Sequence, residues 1–168
     1  MNHLRRSVQP MTTTQLPTDL AVAPAPRLSI STSKDVLKAM SALDASIQLD
    51  PRLRELVKLR ASILNGCAYC VDLHTTDART AGEHDRRIAA VAAWAESPFF
   101  TARERAALAL TDAVTRLGEH GVADETWDEA AAHFPADELS MLVWAIVAIN
   151  AWNRVAIAIH LPTPPLAG

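Results

Sequence analysis

Cysteine, glycine and aromatic residues are scarce in this chain of 168 residues, which has 2 cysteines, 5 glycines and 5% aromatic residues. Two cysteines are too few for a disulfide framework, and a chain of this length forms a core that needs no covalent cross-links. An excess of basic residues is also absent, since the net charge is −3. Because nucleic acids and anionic membranes are bound by basic faces, we expect neither as a partner.

Targeting and membrane-spanning segments are not evident either. The basic residues 1–6 lead into a polar stretch broken by Pro10, whereas an export signal would continue into an apolar run. Residues 139–161 are long enough to cross a bilayer, but Asn150, Asn153 and Arg154 lie near their middle and are costly in hydrocarbon. We therefore expect a buried core helix there, no membrane segment and a cytoplasmic location.

Proline placement divides the chain into a central region and two ends. Four of the 10 prolines lie in residues 1–26 and three in the last seven residues. This composition predicts a flexible N-terminal arm over residues 1–28 and an extended C-terminal tail over residues 162–168. The region between them, residues 29–161, is predicted to form one domain.

The central region has helical periodicity and no convincing alternation of apolar and polar residues. Asp50 followed by Pro51 is typical of a helix start, and Asn65 followed by Gly66 is typical of a helix end. Residues 101–104 match a capping box, and Asp124 is a candidate N-cap. The sequence predicts an all-α fold, a bundle of about six or seven helices.

The residues that could carry chemistry surround Cys67 and Cys70. His74 follows one helical turn after Cys70, so on a helix all three share one face. Gly66 ends the preceding helix and places Cys67 at a helix start, where unpaired N–H groups and the helix dipole favour the thiolate. Such surroundings lower a cysteine pKa from about 8.5 toward neutrality or below. The pattern favours a redox-active dithiol whose Cys70 proton is accepted or relayed by His74.

Glu55 joins this group through helix geometry. If the helices on either side of Gly66 form an antiparallel hairpin, Glu55 and His74 lie about 16 and 12 Å from the turn along the two axes. The carboxylate should then reach His74 more readily than the cysteines. The sequence thus predicts a relay in which Glu55 orients the imidazole and His74 handles the thiol proton.

Other interpretations of the cysteine pair stay open. A structural zinc site would use Cys67, Cys70 and His74, but no second Cys/His cluster supplies an obvious fourth ligand. Two inert core cysteines are the general alternative, and a structural disulfide closing so short a loop would contribute only roughly 2 kcal/mol. Haem attachment of the c type is excluded, because Val71 rather than histidine follows the second cysteine. A thioredoxin-like site is disfavoured, because no strand precedes Cys67.

Glu55 followed by Cys67-Ala68-Tyr69-Cys70-Val71-Asp72-Leu73-His74 resembles the core of the AhpD-like, carboxymuconolactone decarboxylase superfamily. Residues 150–154, Asn-Ala-Trp-Asn-Arg, are similar to the closing helix of many single-domain members. The resemblance implies an AhpD-like helical bundle that assembles into trimers or hexamers. It also implies a thiol peroxidase of peroxiredoxin activity, with a hydroperoxide substrate and an external thiol or protein reductant. In that family pattern, Cys70 attacks the peroxide, Cys67 resolves the intermediate, and Glu55 and His74 form the proton relay.

Tyr69 departs from the family pattern. Alkyl hydroperoxidase D enzymes have histidine between the two cysteines, and tyrosine can donate a hydrogen bond but cannot act as a base near neutral pH. The predicted catalytic residues are therefore Cys70, Cys67, His74, Glu55 and Tyr69, with a shorter or weaker relay and with no cofactor or metal. The alternatives are a redox sensor, a metal-binding helical oligomer, or a lyase of the carboxymuconolactone decarboxylase type, whose chemistry needs no dithiol.

Overall fold

Seven α-helices account for most of residues 21–165, the part of the chain described by the structure, a computed structural model. They are α1 (Lys34–Ser46), α2 (Pro51–Asn65), α3 (Ala68–Thr80), α4 (Asp85–Ala90), α5 (Ala102–Thr115), α6 (Asp124–His133) and α7 (Ala136–Ile159). Short 3-10 turns, Ile30–Ser33 and Val91–Ala93, precede α1 and follow α4. The described residues contain no β-strand, so the predicted all-α class is confirmed.

The predicted arm and tail fall largely beyond this description. Residues 1–20 of the arm and residues 166–168 of the tail lie outside the described residues. Residues 21–28 have no regular secondary structure and are exposed. They run beside the end of α7, where the Arg27 backbone N–H donates to the carbonyl of Ile159 at 2.8 Å.

Most helix ends form where the capping residues predict them. The Asp50 carboxylate accepts the N–H of Leu53 at 3.0 Å, and Thr101 forms the capping box with Glu104. One detail differs, because Asp124 is the first residue of α6 rather than its cap. Inside the first turn, the Asp124 carboxylate still interacts favourably with the helix dipole.

Helix α7 is the element against which the others pack. Its first half joins α2, α5 and α6 in an apolar core of fully or almost fully buried side chains: Leu53, Val57, Ala107, Leu110, Ala130, Phe134, Leu139, Leu142 and Ile146. A second apolar cluster joins α2 to α3, α4 and α5. Helix α7 is long enough and apolar enough to cross a membrane, but buried core helices meet the same two criteria. Nine of its residues are buried in this domain, as expected of a core helix.

The hairpin of α2 and α3 positions the cysteines. Gly66 joins the two helices in the left-handed conformation, with φ of +71°, and its N–H donates to the carbonyls of Ser62 and Ile63. Few residues other than glycine adopt this conformation readily. The chain therefore reverses at once, and Cys67 becomes the N-cap of α3.

Candidate active site

The two cysteines meet at the first turn of α3. The sulphur of Cys67 accepts the backbone N–H of Cys70 at 3.4 Å, and the two Sγ atoms lie 2.6 Å apart. Both thiols are free, and their residues are only 2% and 3% exposed. The α2–α3 hairpin thus holds a dithiol whose sulphurs are close enough to share a proton.

The shared proton separates the two thiols in acidity. Because the Cys67 sulphur already accepts a backbone N–H, the Cys70 thiol is the better placed donor between the two sulphurs. This hydrogen bond from Cys70, opposed by burial, lowers the pKa of Cys67 to about 7. The same hydrogen bond, together with burial, raises the pKa of the Cys70 thiol. The resting charge of the pair therefore lies on Cys67 near neutral pH.

Glu55 and His74 form a buried pair beside the cysteines. The Nδ1 atom of His74 lies 2.8 Å from Oε2 of Glu55, and Arg54 donates to the other carboxylate oxygen at 3.1 Å. Burial opposes the ionisation of Glu55, but the hydrogen bond and charge of His74, then Lys58 and Arg54, outweigh it and hold its pKa below the usual value. The carboxylate thus fixes the orientation of the imidazole, as counting along the two helices predicts.

The link from His74 to the sulphurs is not direct. Within residues 21–165 the His74 ring makes no hydrogen bond with Cys67 or Cys70, although His74 and Cys70 line the same cavity. His74, one helical turn beyond Cys70, therefore lies near the thiol as expected, but its ring makes no direct hydrogen bond with the sulphur. A proton passing between them needs a bridging hydroxyl group in the cavity.

The two sulphurs face different cavities. Cys70 lines a cavity of about 430 Å³ with His74, Lys58, Leu37 and Trp152 among its walls. Cys67 lines a smaller one of about 260 Å³, which is bounded by Gly66, Ala156 and His160 and by residues 23–24 and 161–163. Tyr69 contacts both cavities. One side of the dithiol is thus reached through the Cys70 cavity and the other through the Cys67 cavity.

An ion pair between a buried lysine and a half-buried aspartate holds α1 across the Cys70 cavity. The Lys58 ammonium, which is 5% exposed, donates to both carboxylate oxygens of Asp44 at 2.8 Å. Helix α1 has no buried residue of its own, yet Leu37, Ser41 and Asp44 form part of the cavity wall. Sequence reasoning did not find this pair, because its members lie on separate helices and neither belongs to a motif.

Polar side chains of α7 support the cysteine hairpin from below. The Asn65 amide donates to the side-chain oxygens of Asn150 and Asn153, each at 2.9 Å. Asn153 in turn donates to the hydroxyl of Ser62 at 3.1 Å. This buried polar network, Ser62, Asn65, Asn150 and Asn153, was also missed as a functional feature. Its only sequence signal is a pair of asparagines three residues apart in an otherwise apolar helix.

The metal-binding alternative takes a different form from the one predicted. Ligand atoms of Glu55, His74 and Asp77 lie within 4.8 Å of one another, and neither cysteine belongs to this group. The His74 ring nitrogen nearest Glu55 already pairs with that carboxylate. The structure therefore associates the histidine with carboxylates rather than with the thiols that a zinc site would need.

Known proteins resemble this chain in sequence and in fold. Residues 34–113 match the model of the carboxymuconolactone decarboxylase family. An uncharacterized Bacillus subtilis protein, YdfG, is 43% identical over 105 residues, which span 62% of this chain and 71% of YdfG. A crystal structure from Agrobacterium tumefaciens, described as a protein of unknown function and as an AhpD antioxidant defence candidate, is 39% identical. It superposes with a TM-score of 0.82 over 84% of this chain and 100% of that one.

A more distant structure shares the fold alone. The debrominase Bmp8 is 21% identical and superposes with a TM-score of 0.72 over 80% of this chain and 74% of its own. Identity at this level carries no information on substrate. On the family match and the identity with YdfG, the chain belongs to the carboxymuconolactone decarboxylase family, within the AhpD-like superfamily.

Proposed function

We propose that the protein is a thiol-dependent peroxidase that reduces hydroperoxides through Cys67 and Cys70. The observation that supports this most is the pair of free sulphurs 2.6 Å apart at the start of α3. A disulfide bond needs sulphurs about 2.05 Å apart, so the pair can close with little movement of the backbone. An inert pair of core cysteines would not need the adjoining cavity or the buried Glu55–His74 pair.

In the proposed cycle, the Cys70 thiolate attacks the outer oxygen of the hydroperoxide. A sulphur–oxygen bond forms, the oxygen–oxygen bond breaks, and the alkoxide leaves as an alcohol after taking a proton. Cys70 is thereby oxidised by two electrons to a sulfenic acid. Cys67 then attacks that sulphur, the disulfide forms and water is released. An external thiol reductant returns two electrons and regenerates both thiols.

The charge must move from Cys67 to Cys70 before the attack. At a separation of 2.6 Å the Cys70 proton can pass to the Cys67 sulphur, which leaves the charge facing the Cys70 cavity. His74, oriented by Glu55, faces the same cavity and can supply the proton that the leaving alkoxide takes. Tyr69 contributes a hydrogen-bond donor beside the substrate and does not act as a base.

The reductant has its own route in this proposal. Since Cys67 lines the smaller cavity and Cys70 the larger one, a thiol can approach the disulfide without displacing the product alcohol. Free thiols at the site suit a reducing compartment such as the cytoplasm. An external thiol or a reductant protein is therefore part of the proposal.

A second copy of the chain is the proposed partner of α7. Trp144, Val147 and Val155 on this helix are 48%, 41% and 42% exposed. Apolar side chains that follow one face of a helix are typical of an interface between subunits. We therefore propose a homo-oligomer, a trimer or hexamer, with this face of α7 in the contact.

Peroxide consumption tests the proposed function. We expect Cys70→Ser to abolish turnover with any thiol donor, because no sulphur then faces the Cys70 cavity. The matched variant Cys67→Ser should consume about one peroxide per subunit, because the sulfenic acid forms but cannot condense to the internal disulfide. Full turnover in the double variant would overturn the proposal. Rapid formation of the internal disulfide by the native protein without turnover would identify a redox sensor instead.

A further inference from the structure

We propose that Asn153 of α7 donates a hydrogen bond to the Cys70 sulphur and stabilises its thiolate. The inference rests on the proposed function for the meaning of that thiolate, since Cys70 is the sulphur that attacks the peroxide. Asn153 is fully buried and belongs to the polar network beneath the cysteine hairpin. Whether the Asn153 amide can donate to Cys70 depends on the direction in which its nitrogen points.

The first constraint on that orientation comes from Asn150. Its amide nitrogen donates to the hydroxyl of Thr115 at 3.0 Å and to the carbonyl of Ile146 at 2.9 Å. Its oxygen is therefore the atom that accepts from Asn65 and from Arg154, at 2.9 and 3.0 Å. If the Asn150 amide were flipped, its nitrogen would face the donor groups of Asn65 and Arg154. This side chain therefore has a single orientation.

Asn65 in turn fixes the orientation of the Asn153 amide. The Asn65 nitrogen that donates to Asn150 donates equally to the oxygen of Asn153 at 2.9 Å, so the Asn153 oxygen faces Asn65. The Asn153 nitrogen must then point the other way, where it donates to the Ser62 hydroxyl at 3.1 Å. The Ser62 hydroxyl donates its own hydrogen to the carbonyl of Lys58 at 2.7 Å, so it acts as the acceptor in its contact with Asn153.

One hydrogen of the Asn153 amide remains, and we assign it to the Cys70 sulphur. An amide nitrogen carries two hydrogens, of which Ser62 takes only one. Ala156, one turn beyond Asn153, packs directly against Cys67 and Cys70, so this part of α7 faces the sulphurs. The Cys67 hydrogen bond and burial raise the pKa of the Cys70 thiol, and the Asn153 amide acts against them.

The other titratable groups around Cys70 come from α1, α2 and α3. Cys67 contacts the Cys70 sulphur, and the Cys70 cavity is lined by Tyr69 and His74 of α3, by Arg54 and Lys58 of α2, and by Asp44 of α1. The side chains with which α7 lines the Cys70 cavity are uncharged, namely Ile149, Trp152 and Ala156. Of these three, Trp152 alone carries a polar atom, and the amide of Asn153 is a second polar group that α7 brings near this sulphur.

Titration of the Cys70 thiol in a Cys67→Ser background tests the proposal. Thiolate absorbance or the pH dependence of alkylation gives the pKa of Cys70 without peroxide, so the result stands even if the protein proves not to be a peroxidase. We expect Asn153→Ala to raise this pKa by about one unit, which means a roughly tenfold smaller thiolate fraction at neutral pH. Asn153→Ser, which keeps a hydroxyl donor, should give a smaller rise.

Thr115→Val is the matched control in the same background. It removes the hydroxyl that accepts from Asn150, but the Asn150 nitrogen still donates to the carbonyl of Ile146. The orientation of Asn153 is therefore kept, and the Cys70 pKa should stay unchanged. Circular dichroism of each variant shows that the helices are intact. Equal pKa shifts in the Thr115 and Asn153 variants, or no shift in either Asn153 variant, would overturn the proposal.

Discussion

The two halves of α7 pack against the rest of the domain in opposite ways. In the first half, Leu139, Leu142 and Ile146 lie in an apolar core shared with α2, α5 and α6. In the second half, Asn150 and Asn153 are just as deeply enclosed, but they are joined to α2 and α5 by hydrogen bonds. The first half of α7 is therefore buried among apolar side chains, and the second half is buried among hydrogen-bonded polar ones.

This difference separates stability from chemistry. Apolar burial contributes about 25 cal/mol per Å² and has no preferred direction, so the first half can hold the helices together without fixing a single atom. Buried amides cost free energy unless they are hydrogen-bonded, and none of the buried side-chain nitrogen or oxygen atoms in the polar network lacks a partner. Because hydrogen bonds are directional, the second half fixes where the cysteine hairpin lies and which groups face its sulphurs.

Removal of a side chain from the apolar half should have the largest effect on stability. Leu142 is fully buried, and Leu142→Ala should lower the free energy of unfolding by about 2–5 kcal/mol, since it removes buried methyl groups and leaves a cavity. Denaturation by urea measures the loss. The alkylation rate of the cysteines in the folded variant should equal that of the native protein.

Leu142→Met is the control, because it conserves volume and should cost less than about 1.5 kcal/mol. If Leu142→Ala instead changed thiol reactivity while it left stability intact, the proposed division between the two halves of α7 would be wrong.

Gly66 offers a smaller perturbation, at the turn that the polar half supports. An added Cβ at Gly66 would meet nothing within 4 Å, so Gly66→Ala carries only the cost of the left-handed conformation, about 1–2 kcal/mol. Gly66→Asn should cost less, because asparagine adopts this conformation more readily. Urea denaturation of the two variants gives the comparison. Equal losses for alanine and asparagine would show that the backbone conformation is not what Gly66 supplies.

Local sequence signals predict the helices and the closeness of Glu55 to His74. Asp50, Gly66 and Thr101 each specify a helix end by local chemistry, and local chemistry is what a sequence shows most directly. The approach of Glu55 to His74 follows from counting residues along two helices joined by a tight turn. Both inferences require only that the helices form and that the chain reverses at Gly66.

The remaining parts of the site depend on how helices rotate about their axes and on contacts between distant residues. Asn65 and Asn153 are 88 positions apart, and their contact is set by the packing of α7 on α2. The turn of the His74 ring toward Glu55, and the separate cavities of the two cysteines, follow from the same packing. The spacing of residues along the chain does not show these contacts, the orientation of the ring or the cavities.

The smallest expected effect on stability comes from the charge of Glu55, and low pH should remove this effect. The pKa of Glu55 lies below its ordinary value of 4.5 although burial opposes ionisation, because His74, Lys58 and Arg54 stabilise the carboxylate. The folded protein therefore binds fewer protons than the unfolded chain as the pH falls below that value. This contribution to stability is complete above the unfolded pKa and is lost as the pH falls through the folded one.

Glu55→Gln keeps the size of the side chain and one hydrogen-bonding oxygen but removes the charge. Its free energy of unfolding, measured by urea denaturation, should be lower than that of the native protein at neutral pH and should approach it in acid. Leu142→Ala, which alters only the apolar half of α7, should show the same deficit at both pH values. A Glu55→Gln deficit that persists undiminished in acid would mean that Glu55 stabilises the site by its shape and hydrogen bonding, and not by its charge.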